Sequence, residues 1–171
     1  KGKMHGNGKL VSSNRQITYV GQFRNNFKWG KGKALIKSIN SLTGVFIANK
    51  IEGEGSHIDH RNDTKYFGHF KDGERNGQGN CVYPSGNRFS GLWKNNIPYQ
   101  GELFLRKGDR LQGEWKDDHF SGSGQIQFFN GNFYEGEWKQ NVPNGFGAMK
   151  YNDGSVYNGQ WKNGKKEGNG V

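Results

Sequence analysis

A single cysteine, Cys81, in 171 residues leaves no partner for an internal disulfide and too few thiolates for a cysteine-rich zinc site. It fits a reducing compartment. No apolar run approaches the ~20 residues that a membrane-spanning helix requires, and no hydrophobic signal segment is legible. Only 30% of the residues are hydrophobic, too few for a thick core wrapped in helices, and no stretch sustains an apolar period of 3.6. We therefore expect essentially no helix. Acidic residues are absent from the first fifty positions, which carry ten basic ones: Lys1, Lys3, Lys9, Arg15, Arg24, Lys28, Lys31, Lys33, Lys37 and Lys50. Beyond them, 15 basic residues face 15 acidic ones, so the whole net charge of +10 belongs to one end.

What the chain does have is 29 glycines and 14% aromatics. Disordered segments are poor in aromatics, so regularly spaced glycines and rings point instead to short strands and tight turns. A period confirms this. The run Tyr66-Phe-Gly-His-Phe-Lys-Asp-Gly-Glu-Arg-Asn-Gly-Gln-Gly-Asn-Cys-Val-Tyr-Pro-Ser-Gly86 sets a frame: an aromatic at +0, Gly at +2, an aromatic at +4, Gly at +11 and +13, an aromatic at +17 and Gly at +20. The frame restarts at Tyr19, Leu42, Phe89, Leu111, Tyr134 and Tyr157. Residues 1–18 hold the end of a unit, and the unit at Tyr157 is cut short. The chain also lacks an initiator Met. Residues 1–171 thus read as one repeat array, a segment of a longer chain.

Each unit reads as a β-hairpin. With a side-chain period of two, Tyr134, Gly136 and Trp138 share one strand face while Glu135 and Glu137 take the other. Lys71-Asp72-Gly73 and Lys162-Asn163-Gly164 carry the hairpin turn signal, and Pro84-Ser85-Gly86 and Asn152-Asp153-Gly154 the return turn. The three glycines of a unit are read as gaps into which neighbouring rings lie. The expected fold is all-β: an elongated solenoid of tandem antiparallel β-hairpins forming one continuous, twisted meander sheet of about fourteen strands, roughly 65–70 Å long at ~4.8 Å per strand.

The run Tyr134-Glu-Gly-Glu-Trp-Lys-Gln-Asn-Val-Pro-Asn-Gly-Phe-Gly-Ala-Met-Lys-Tyr-Asn-Asp-Gly154 closely resembles a MORN repeat (membrane occupation and recognition nexus). The units at Tyr66 and Tyr157 match nearly as well, and the resemblance extends over the array. It implies a hairpin solenoid without catalysis of its own, which binds partners, lipids or further copies. It also implies a cytoplasmic, cytoskeletal or ciliary setting, as in radial-spoke proteins, or service as a targeting module of a larger kinase or methyltransferase. Two units depart from the pattern. That at Leu42 puts His57 and Asp59 where an apolar residue and an aromatic belong. That at Phe89 is one residue short, at Asn95-Asn-Ile-Pro-Tyr-Gln-Gly101. Irregular pairing or a bend is expected near 56–64 and 95–101. The chain's twenty asparagines read as the mark of an AT-rich coding sequence.

Candidate chemistry is sparse. Gly-x-Gly pairs such as Gly30/Gly32 and Gly77/Gly79 lie inside strands, with no following helix to hold a phosphate. His57, Asp59, His60 and Asp63 match no zinc spacing, and no nucleophile motif accompanies the scattered Ser, His and Asp. No enzyme activity, cofactor or metal is expected. The stronger candidate is the aromatic face, with Tyr66, Phe70, Phe89, Trp93, Trp115, Tyr134, Trp138, Tyr157 and Trp161 as partner-binding residues. Most of these rings are expected to fill the sheet's own face, and any left open would form a docking groove for a protein. Arg24, Lys28, Lys31, Lys33 and Lys37 are candidates for anionic phospholipid or an acidic partner. Nucleic acid is not expected, because the rings follow the structural frame rather than the charges. Open strand edges make self-association a further expectation.

Overall fold

The computed structural model describes residues 2–14, 16–37, 39–117 and 119–171, the side chain of residue 169 excepted. Among them lie fifteen strands and no helix. The first seven are β1 (Gly6–Val11), β2 (Ile17–Arg24), β3 (Phe27–Ile36), β4 (Asn40–Ile47), β5 (Lys50–Asp59), β6 (Thr64–Lys71) and β7 (Glu74–Val82). They are followed by β8 (Arg88–Lys94), β9 (Ile97–Phe104), β10 (Arg110–Lys116) and β11 (His119–Gln127). The last are β12 (Phe133–Lys139), β13 (Val142–Lys150), β14 (Val156–Lys162) and β15 (Lys165–Gly170). Strand order across the sheet is chain order, and pairing is antiparallel. The chain divides into two compact units: residues 1–84 with 93–96, and residues 85–92 with 97–171.

The hairpin turns follow from their sequences. Asp72-Gly73, Asn163-Gly164 and also Asn25-Asn26, Ala48-Asn49, Asn95-Asn96 and Gln140-Asn141 place both central residues at positive φ, between 47° and 89°. This two-residue geometry matches the twist of paired strands, and Asn, Asp and Gly tolerate it best. The second turn residue then ties one repeat to the one before. Asn49 donates its backbone N–H to the Lys28 carbonyl at 3.1 Å while its Oδ1 accepts from the Lys28 N–H at 2.9 Å. Asn96 and Arg75 repeat the exchange, as do Asn141 and Phe120. At the opposite end, the Arg106 N–H donates to Asn87 Oδ1, Phe129 to Asp109 and Asn152 to Asn132. The asparagines at these positions are therefore structural, their amides joining one hairpin to the next.

In the hairpins β2–β3, β4–β5, β6–β7, β10–β11, β12–β13 and β14–β15 a bulge adds two residues to the second strand. In β12–β13, Gly136 pairs with Gly147 but Trp138 with Pro143, so Glu137 alone faces residues 144–146. The +11 glycine sits in this bulge with left-handed φ, 92° at Gly77 and 111° at Gly145. Its role is conformational, which corrects the reading of all three glycines as room for rings. The +2 and +13 glycines do provide room, and for the ring of their own hairpin. A Cβ on Gly136 would come within 2.6 Å of the Tyr134 hydroxyl, and one on Gly147 would overlap that phenol.

The rings form a ladder within each unit. Tyr19 meets Phe23 of its own repeat and Phe46 of the next edge-to-face, at centroid distances of 5.1 and 5.2 Å. Tyr66 does so with Phe70 and Trp93, and Tyr134 with Trp138 and Trp161. Such pairs contribute about 0.5–1.5 kcal/mol each beyond burial. Each phenol donates to the carbonyl three residues on: Tyr19 to Gln22, Tyr66 to His69 and Tyr134 to Glu137. The indole N–H groups of Trp93, Trp138 and Trp161 reach the preceding repeat's +13 carbonyls, at Gly79, Gly124 and Gly147.

Where +0 is leucine, the filler comes from +9. Phe120 lies against Gly113 and Gly124 and stacks with Trp115 and Trp138, while Ile51 fills the gap at Gly44 and Gly55. Where +0 is tyrosine, +9 holds a cation over the ring, as with Lys28 on Tyr19 and Arg75 on Tyr66, or a proline, as at Pro143.

Irregular pairing near 56–64 is not found. β5–β6 runs unbroken from Gly53↔Phe70 to Asp59↔Thr64, because ladder hydrogen bonds belong to the backbone and tolerate the exchanged side chains. Near 95–101 the missing residue is the +11 glycine itself, so Tyr99 directly precedes Gln100, which pairs in register with Glu114.

Candidate docking clefts

Burial decides what each candidate ring can do. Tyr66 and Tyr134 are fully buried, and Phe70, Phe89, Trp93, Trp138 and Trp161 retain no more than 6% of their exposure. Their surfaces are spent on one another. Burial pushes the phenols of Tyr66 and Tyr134 up to about 12. Trp115 and Tyr157 are half-buried, and only these two of the nine candidates present ring surface.

Trp115 is the exception in the ladder. It stacks on Phe89 and Phe120, yet among the described residues its indole N–H meets no acceptor, whereas Trp93, Trp138 and Trp161 are all bonded. The missing bulge glycine supplies the cause. Tyr99 directly precedes Gln100 on the strand beside β10, one step beyond the Gln100↔Glu114 pair, and stays 41% exposed. Tyr99, Trp115, Gln100, Glu114, Lys116 and Ser121 line an open cleft of about 370 Å³.

The first unit holds a cleft of another character, about 420 Å³, where His57 and Asp59 replace the apolar +15 and +17 residues. Asp59 is buried to 9% exposure and gripped by Arg61, with Nε–Oδ1 at 3.0 Å and Nη2–Oδ2 at 2.6 Å. Those hydrogen bonds hold its carboxyl down to about 2. Burial, then the Arg75 charge, pushes the His57 imidazolium toward the neutral form. Neutral His57 has one acceptor nitrogen. Arg75 Nη2 lies 3.3 Å from Nδ1, so the ring proton sits on Nε2 and is donated to Asn40 Oδ1 at 2.9 Å. His60 instead bonds the Ser41 hydroxyl, at 2.6 Å. Among the described residues no group of three or more His, Cys, Asp or Glu could hold a metal ion. Cys81 is buried, and burial pushes its thiol up.

The basic candidates are divided. Lys31 and Lys33 alternate with Gly32 and share the face away from the rings. There Lys9 and Lys33 flank the exposed Val20, and Lys31 pairs with the exposed Val45. Arg24 stacks on Trp29, half-buried Lys28 covers Tyr19, and Lys37 occupies a turn. Lys1 and Arg15 lie outside the described residues. Arg75 and Tyr99 were not among the sequence candidates. A residue count between Phe89 and Gly101 signals Tyr99, and nothing short of the ring ladder signals Arg75.

These features define a class: a β-hairpin repeat protein whose units interlock through +0 and +4 rings over glycines. A family model, the MORN repeat, matches residues 1–16, 19–35, 66–88, 112–133, 134–156 and 157–171, well over half of the chain, and the chain belongs to that family. The stretches between the matches include the two departing units, at Leu42 and Phe89. No curated protein matches the sequence. Among solved structures, the TCP10 domain of Danio rerio CPAP is 15% identical, covering 91% of this chain and 79% of that one with a TM-score of 0.49. The same domain in complex with a STIL peptide is 19% identical over 91% and 74%, at a TM-score of 0.44. The Drosophila melanogaster SAS-4 TCP domain, in complex with a proline-rich motif of Ana2, is 9% identical over 91% and 90%, at 0.45. At these TM-scores the likeness carries no statement about partners. Among the described residues no helix is long and apolar enough to cross a membrane.

Proposed function

We propose that this array is a non-catalytic scaffold that holds a partner protein, and that a segment of the partner enters the Tyr99–Trp115 cleft. One observation carries the reading: in a ladder whose other candidate rings, Tyr157 apart, are closed, Trp115 keeps an open face and, among the described residues, an indole donor without an acceptor, beside the exposed Tyr99. Tyr and Trp pairs of this kind combine apolar area with a hydrogen-bonding edge, the usual makeup of an interface hot spot. The test is affinity capture from native extract at physiological salt, with the wild type beside Trp115→Ser and Tyr99→Asn, the latter installing the residue that Asn76 and Asn144 supply in other repeats. Both variants should keep the β circular-dichroism signature and lose the same specific proteins. Retention of those proteins by both variants would overturn the reading.

A second reading rests on the face that combines Lys9, Lys31 and Lys33 with exposed Val20 and Val45. Cations around apolar side chains suit an anionic phospholipid surface, each lysine adding about 1 kcal/mol near the membrane. Flotation with phosphatidylserine vesicles that falls away as salt rises would favour it, whereas aromatic docking persists. The cytoskeletal or ciliary setting rests on the family resemblance alone, and imaging of the tagged protein tests it.

A further inference from the structure

We propose that the cleft at His57 and Arg75 binds an acidic segment of a partner protein, with an Asp or Glu carboxylate on the Arg75 guanidinium and a neighbouring apolar side chain against Ile36, Leu42 and Phe70.

The argument begins with an uncompensated cation. Arg61 and Arg110 each sit on a carboxylate, Asp59 and Glu102. Arg75 meets none among the described residues. Its charge rests over the Tyr66 and Trp93 rings, at 5.1 and 5.3 Å from their centroids. Ring faces offset part of the desolvation of a guanidinium but leave its in-plane N–H donors unbound. Of the five, one reaches His57 Nδ1, at 3.3 Å. The nearby Asp59 is engaged through both oxygens by Arg61, and among the described residues no ion pair joins it to Arg75.

The guanidinium is also aimed. The Asn40–His57–Arg75 chain of hydrogen bonds fixes its edge, and the mutual backbone–amide exchange with Asn96 fixes its strand. A planar fork held in this way matches a carboxylate through two parallel N–H···O bonds. The cleft exists because the Leu42 repeat lacks the apolar pair that the unit at Tyr134 places at +15 and +17, Met149 and Tyr151.

The remaining lining selects the occupant. Ile36, Leu42 and Phe70 add apolar wall beside what is, among the described residues, the single free cation of the cleft, so a carboxylate next to an aliphatic or aromatic side chain fits better than a free phosphate, which calls for more positive charge. The surrounding unit carries 15 basic against 6 acidic residues, an excess that draws an acidic segment from a distance.

The experiment is selection of random twelve-residue peptides displayed on phage against the intact array, followed by calorimetry on the enriched sequences. We expect peptides with Asp or Glu beside an apolar residue. Binding should weaken about tenfold or more on Arg75→Gln, and equally when the peptide's carboxylate becomes the amide. Arg75→Lys should be intermediate, and Trp115→Ser without effect. The peptide substitution leaves the protein untouched, so the result stands even if Arg75→Gln loses its fold. Enrichment of nothing, enrichment without acidic residues, full affinity for the amide peptide, or displacement by ten-millimolar inorganic phosphate would each overturn the proposal. Peptides lost on Trp115→Ser but retained by Arg75→Gln would overturn it while leaving the Tyr99–Trp115 reading intact.

Discussion

Residues 1–84 with 93–96 carry 15 basic against 6 acidic side chains, whereas residues 85–92 with 97–171 carry 10 against 9, on one and the same repeat. The ring ladder does not register this difference. Tyr66 with Phe70 and Trp93 in the first unit has the geometry of Tyr134 with Trp138 and Trp161 in the second. Rings over glycines are constrained by contact on every side, so the +0 and +9 positions of that face vary by compensated exchange. The opposite face meets solvent and is free to vary in charge, which is how one scaffold comes to present two surfaces. The units also break their ladders differently. In the first, polar His57 and Asp59 enter the ring face beside Arg75, which has no carboxylate partner among the described residues. In the second, a lost glycine leaves Trp115 and Tyr99 uncovered.

The largest expected effect tests the shared part. Tyr134→Ala should cost about 3–5 kcal/mol of unfolding free energy, since it removes two edge-to-face partners and leaves a void over Gly136 and Gly147. Denaturant unfolding measures it. Exchange between positions sharpens the comparison further. Phe120→Lys and Leu111→Tyr should each destabilise the second unit, the first by emptying the gap and the second by crowding it. Together they recreate the Tyr19/Lys28 arrangement, and a double-mutant cycle should return a favourable coupling of about 1–3 kcal/mol. Additive effects would show that +0 and +9 do not share one gap.

A smaller effect is spectroscopic. Tyr66 and Tyr134 have folded-state phenols at about 12 against an ordinary value of 10, and burial raises Tyr19 too. Their stabilisation is therefore complete below pH 10 and lost as pH rises from 10 toward 12, where the unfolded chain ionises first. Phenolate absorbance near 295 nm should show a late step coinciding with loss of the β signature, and Tyr134→Phe should reduce it. Asp59 acts at the other extreme. Its depressed carboxyl stabilises the first unit above its ordinary value of 3.8, and that contribution disappears as pH falls through about 2. Smallest of all, Lys31→Gln with Lys33→Gln should change unfolding by less than about 0.5 kcal/mol, because exposed lysines there pack against little. The same pair should weaken any salt-sensitive binding of the first unit.

Much of this was legible in the chain. Asp72-Gly73 and Asn163-Gly164 announce their turns, and the recurrence of Tyr, Gly and Trp announces strands, faces and family. The candidate sites were less so. Trp115 reads like Trp138 until the carbonyl ladder shows that, among the described residues, it lacks an acceptor. Arg75 reads as an ordinary solvated cation until the rings beneath it and the pairing of Asp59 with Arg61 are in view. The irregular pairing expected at 56–64 confused side-chain substitution with backbone register.

Local sequence determined what local physics governs. A period of two with turn residues every dozen or so positions admits hairpins and little else, and glycine at +11 supplies the left-handed residue of the bulge. Only the tertiary structure decided which rings remain open and which charges lack partners. Exposure and pairing depend on residues some twenty positions away, brought alongside by stacking one hairpin on the next, and no window of sequence contains both sides of that contact.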